Sequence, residues 1–229
     1  MSEDLQPFTR PSPCVESAHP DVVAFARRHA QGAQGEIETA VRIYYAVRDG
    51  IRYDPYSLVV SAEGLRASVT LAAGRGWCVS KSVLLAACYR ASGLPARLGF
   101  ADVRNHLSTA NMRASMATDI FYWHGYTAVH LEGRWVKATP AFNIELCEKF
   151  GFLPLEFDGR HDSLYHPFDR EGKRHMEYVN ERGQFADVPF DAMLATFHDK
   201  YGHMMADDGS AFAKGDFDAE VEAEVAERG

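Results

Sequence analysis

Gly74-Arg75-Gly76-Trp77-Cys78-Val79-Ser80-Lys81 places a cysteine after two closely spaced glycines and a tryptophan, where a helical apolar pattern begins. Val79, Val83, Leu84, Ala87, Cys88 and Ala91 recur at helical spacing, and Gly93-Leu94-Pro95 stops the run. Cys78 therefore falls in or just before the first turn of a buried helix. Unsatisfied backbone N–H groups and the positive end of the helix dipole favour a thiolate there, which predicts a pKa below the ordinary value of about 8.5. The glycines let backbone or substrate approach closely.

Downstream, Ala96 to Val103 alternates well enough to be a strand, and residues 104–119 read as a loop with some helical content. Phe121 to Leu131 is rich in strand formers. Glu132-Gly133 is a tight turn, and Arg134 to Ala138 is the returning strand. The hairpin carries His124 on one arm and Thr139-Pro140 at the end of the other. A short helix fits 145–151. Residues 152–189 lack a period but hold aromatic residues that need burial, so they are expected to wrap the core. Phe190 to Tyr201 is an amphipathic helix ended by Gly202.

Upstream, His19-Pro20-Asp21 starts a short helix, and a second fits 35–49, where Ile37, Ala40, Val41, Tyr44 and Val47 line one face. Residues 51–56 read as a short extended segment ending in a turn. The organisation is thus an extended arm at 1–19, one domain at 20–202, and an acidic tail at 203–229.

Composition narrows the function classes. The 229 residues, 46% of them apolar, suffice for a sizeable core, and no apolar run reaches the length of a membrane span. Four cysteines (14, 78, 88 and 147) without close pairing point to a reducing, cytoplasmic setting. The net charge of −8 is mostly a tail property: eight acids after residue 206 face only Lys214 and Arg228. This argues against nucleic acid as a partner, and the tail reads as a solvated segment. His161, His166 and His175 share an irregular segment with Asp158, Asp162 and Asp169, but no pair has the helical spacing of a metal motif, so no metal is expected.

A cysteine nucleophile needs a base within hydrogen-bond reach and a third group to orient that base. Among ten histidines, His124 is selected by placement: a strand presents it rigidly, and Gly125 leaves space beside it. Gly76-Trp77-Cys78 opening a helix, Gly93-Leu94-Pro95-Ala96-Arg97 after it, and the run from His124-Gly125-Tyr126 through Gly133-Arg134-Trp135 to Thr139-Pro140 resemble the transglutaminase-like superfamily over roughly residues 40–143. The resemblance implies an α+β fold of the papain-like cysteine-proteinase type, with the Cys78 helix packed against an antiparallel sheet. It implies Cys78 as nucleophile, His124 as base, and protein cross-linking, amide hydrolysis or a related acyl transfer as the activity. The substrate would be a peptide, protein or small amide, and no cofactor is implied.

One residue departs from the family pattern. Where the family ends its hairpin in Asp-Pro, this chain has Thr139-Pro140. A threonine hydroxyl can accept a hydrogen bond from the imidazole but cannot stabilise an imidazolium by charge, and loss of that charge costs a serine triad about 10⁴ in turnover. Asn143 is the substitute, with Glu145, Asp102 and Asp119 as further options. Trp77, Tyr56 and His106 are candidates for the oxyanion or substrate groove. The rival expectation is a catalytically degenerate relative that keeps the fold as a binding or scaffolding module, with Thr139 as its best support.

Overall fold

A computed structural model describes residues 3–105, 109–164, 176–204 and 215–228. Its centre is a helix, α4 (Cys78–Ala91), preceded in chain order by α1 (Pro20–Ala30), α2 (Gly35–Gly50) and α3 (Ala67–Ala73). Every residue of α4 from Cys78 to Arg90 is buried. A helix apolar or satisfied all round belongs in the middle of a domain. Its polar side chains each find partners: Lys81 Nζ donates to the carbonyl of Arg48 (2.9 Å) and to that of Ile51, and Arg90 Nε donates to the carbonyl of Ala96 (2.9 Å). Burial drives the Lys81 pKa down to about 7.

Two short strands, β1 (Arg52–Tyr53) and β2 (Arg75–Gly76), pair in parallel and lead the chain into α4. Gly74 ends α3 in the left-handed region (φ 61°), where glycine carries no steric penalty. Gly76 is needed for a different reason, since a Cβ there would lie 2.4 Å from Ser80 Oγ. That hydroxyl accepts from the Trp77 N–H at 3.0 Å and so holds the start of α4.

The main sheet has the order β5-β4-β3-β6, all neighbours antiparallel: β3 (Ala96–Asn105), β4 (Ile120–Leu131), β5 (Arg134–Ala138) and β6 (Met176–Phe185). The helix α4 lies against β4, and Thr127 Oγ1 donates to the carbonyl of Ser82 (2.8 Å) to tie the two together. The expected helix against an antiparallel sheet is present, as are the strand from Ala96 and the hairpin. Residues 104–119 hold the end of β3 and a short helix, α5 (Ala110–Met116).

Two parts of the architecture differ from the sequence reading. Within the segment expected to be irregular, residues 176–185 form the edge strand β6. Its alternation is erased by two register shifts against β3 and by Gly183 at φ 104°, and most of its side chains are exposed or half-buried. Beyond α6 (Ile144–Phe150) and α7 (Phe190–Tyr201), the supposedly solvated tail supplies α8 (Phe217–Arg228). Phe217 and Val221 are buried, and three acids of α8 have protein partners. Asp218 pairs with Arg52 (3.0 Å), Glu222 with Lys149 (2.7 Å), and Glu220 accepts from Tyr56 Oη, Thr109 Oγ1 and Asn111 Nδ2 at 2.7–2.8 Å. The part of the acidic run in α8 is a docked helix because its charges fall opposite these donors.

The N-terminal arm also packs. Cys14 and Val15 are buried, Phe8 meets Trp135 edge-on, and Glu3 accepts from Trp135 Nε1 (2.7 Å).

Candidate active site

The first residue of α4 is Cys78, and Trp77 is its N-cap. Its side chain is 7% exposed and lines a pocket that His124, 6% exposed, also lines. Gly125 explains how strand and helix come so close. A Cβ at 125 would sit 2.9 Å from Val79 Cα and 3.4 Å from Val79 N, so any larger residue would push β4 off the start of α4. The same close approach brings the Gly125 backbone near Cys78, where its N–H and those of Val79 and Cys78 itself favour the thiolate.

The electrostatics of the pair are set by burial. The Cys78 thiol is pushed up to about 11 by desolvation, which outweighs the three N–H groups pulling the other way. The helix start is therefore present as expected, but the thiol is not depressed, because burial strips the sulfur of solvation. Burial likewise drives His124 down to about 4. Burial thus disfavours the charged form of each group.

His124 is aimed by a distortion of the sheet that the sequence does not announce. The pairing Ala101↔His124 is followed by Val103↔Phe121, so β4 carries one extra residue opposite Asp102. That bulge puts Trp123, a non-glycine residue, at φ 60°. Bulges next to a site commonly re-aim a side chain. Asp102, 3% exposed, holds this one: its Oδ1 accepts from the Trp123 N–H (3.1 Å) and from Arg182 Nε (2.8 Å), while the Arg182 guanidinium lies 4.8 Å from the Trp123 ring centroid. Strained backbone persists only where its surroundings over-determine it, and here a carboxylate and a cation do so.

The candidates for a third member are engaged as follows. Thr139 is buried, its N–H donates to the Ser163 carbonyl (3.0 Å), and its hydroxyl makes no hydrogen bond to a described residue. Asn143 is buried as the N-cap of α6, with Oδ1 accepting from the Tyr53 N–H (3.0 Å). Asp119 pairs with Arg104 (2.8 Å), and Glu145 is exposed on α6. Asp102 serves the bulge.

Trp77 and Tyr56 both line the pocket, Trp77 with its ring 6.2 Å from that of Phe197. His106 lies outside the described residues, as do His166, Asp169 and His175. His161 is exposed and bonds Asp158 at 2.6 Å. Among the described residues, no group of three or more His, Cys, Asp or Glu is placed to hold a metal ion. Nor is any described helix long and apolar enough to cross a membrane.

A cysteine at a buried helix start, backed by an antiparallel sheet that presents a histidine, defines the cysteine-protease-like α+β class. A solved structure of a candidate cysteine protease from Cytophaga hutchinsonii shares this fold, with a TM-score of 0.54 and 16% identity over 84% of the present chain. The chain spans 50% of that protein. A candidate protease from Parabacteroides distasonis matches more distantly, at TM-score 0.39 and 15% identity over 58% of this chain and 24% of its own. No curated protein matches by sequence. The sequence pattern of the transglutaminase-like superfamily core matches residues 23–140, and the chain belongs to that superfamily.

Proposed function

We propose that the chain is a cysteine-dependent amide hydrolase or acyl transferase, with Cys78 as nucleophile, His124 as base, and a peptide, protein or small amide as substrate. The observation that carries this reading is the convergence of both side chains on one pocket, with Cys78 at the first residue of α4. Sγ attacks the substrate carbonyl carbon, an S–C bond forms, and the thiol proton passes to His124. The N–H groups around Sγ stabilise the oxyanion. His124 then returns its proton to the leaving amine, and water or a second amine releases the thioester. A neutral imidazole is the form required of a base, which suits a group held at about 4.

Thr139 supplies no negative charge, so the third position contributes orientation at most. Its hydroxyl makes no bond to a described residue. In this mechanism the proton moves as the S–C bond forms, without a preformed thiolate.

Alkylation by iodoacetamide, followed by peptide mass spectrometry, tests the pair without a guess at substrate. All four cysteines are buried, and Cys78 lines the pocket, so Cys78 is expected to label first. Replacing His124→Ala should slow that labelling at least tenfold at pH 7. Equal rates and equal pH profiles in the two proteins would favour the binding-module reading.

A further inference from the structure

The pocket that ends at Cys78 and His124 is walled by Leu58, Met112, Met116, Phe121, Phe197 and Met204. These walls come from four separate places: the turn after β1, α5, the start of β4, and α7 with the turn that follows it. None of its described lining residues is an Asp, Glu, Lys or Arg. Two of the polar tips that reach it are already bound by the protein. Tyr56 Oη is held by Glu220, and Tyr201 Oη donates to the Ile120 carbonyl (2.8 Å) while accepting from the Tyr122 N–H (3.0 Å). A charged substrate group entering here would lose its water and meet no opposite charge among the described lining residues, whereas an aliphatic group loses only contact with water.

Three methionines on the wall (Met112, Met116 and Met204) can adjust to the shape of such a group, because an unbranched thioether repacks readily.

We infer that this pocket selects an acyl donor bearing an uncharged, apolar side chain beside the attacked carbonyl. The inference rests on Cys78 being the nucleophile.

The test uses the full chain and a series of N-acetyl-aminoacyl chloromethyl ketones built on leucine, alanine, phenylalanine, lysine and glutamate. Each is read as the rate at which Cys78 gains the label, divided by the rate with iodoacetamide, which has no side chain to recognise. In that reaction Sγ bonds to the methylene carbon, chloride leaves, and the thiol proton passes to His124. The leucine reagent is expected to label at least tenfold faster than the alanine, lysine and glutamate reagents. In Met116→Ala the preference should move toward phenylalanine, since the truncation lengthens the cavity.

Normal iodoacetamide labelling with no preference among the reagents, or with a charged reagent fastest, would overturn the substrate class and leave the nucleophile standing. A preference for leucine that Met116→Ala leaves unchanged would also overturn it, because recognition would then lie elsewhere. Failure of Cys78 to react with iodoacetamide and with every reagent would overturn both.

Discussion

Acidifying the protein should expose the burial of His124 as a loss of stability with a definite window. In the folded chain its pKa is held at about 4, against about 6.5 when solvated. Between those values the unfolded chain binds a proton that the folded chain refuses, so stability falls as pH drops from about 6.5 toward 4 and is intact above that range. The difference of about 2.5 pH units corresponds to about 3 kcal/mol at pH 4, at about 1.4 kcal/mol per unit. That is a large part of the 5–15 kcal/mol typical of a domain.

Urea unfolding at pH 7 and pH 4, on the wild type and on His124→Asn, isolates the effect, because asparagine does not titrate and the other groups are common to both proteins. The stability advantage of the wild type should shrink by about 3 kcal/mol between the two pH values. A change under about 1 kcal/mol, or an imidazole NMR titration for His124 centred near 6.5, would refute the reasoning. The acid limb of Cys78 labelling should follow the same group and fall near pH 4.

Three further predictions concern the packing that holds the pair. Gly125→Ala forces a Cβ to 2.9 Å from Val79 Cα; it should destabilise the fold by about 1–3 kcal/mol in urea unfolding and change the Cys78 labelling rate severalfold. Asp102→Leu removes the acceptor of the Trp123 N–H and takes from Arg182 its carboxylate partner, so it should cost about 3 kcal/mol and reduce the ratio of Cys78 labelling in wild type over His124→Ala. Glu220→Ala removes the carboxylate that Tyr56, Thr109 and Asn111 share; α8 should then be released by limited proteolysis faster than in wild type, with a loss of about 1–2 kcal/mol.

The legible part of the fold was the part in which local pattern and burial agree. The α4 run, the strand from Ala96, and the hairpin carrying His124 each bury one continuous face or the whole element, so apolar spacing announces them. What stayed hidden depends on partners distant in sequence. The strand β6 exposes most of its side chains and slips register twice against β3, so no alternation survives to be read. The helix α8 reads as a charge run because its acids look solvated until Arg52, Lys149, Thr109 and Asn111 are placed opposite them. At the candidate site, the helix start that carries Cys78 and the strand that carries His124 were visible from their motifs. The bulge at Trp123 was not, because it arises from a one-residue mismatch between two strands and not from either strand alone.

The expectation about the thiol shows why position in a helix is insufficient to set reactivity. A helix start supplies N–H groups, and those of Cys78 and Val79, joined by that of Gly125 from β4, favour the thiolate, yet the thiol lies at about 11 because burial strips it of solvation. The same burial lowers His124. Burial thus moves the two groups in opposite directions on the pH scale but toward the same outcome, a neutral pair. Such a pair has little reason to react with a solvated, charged electrophile, and its N–H donors are best used by an oxyanion that forms inside the pocket. In the proposed reaction, the apolar walls that select the acyl group and the burial that keeps the thiol protonated are therefore one device. Widening the pocket should relax selectivity and expose the thiol together, and a variant that did one without the other would separate them.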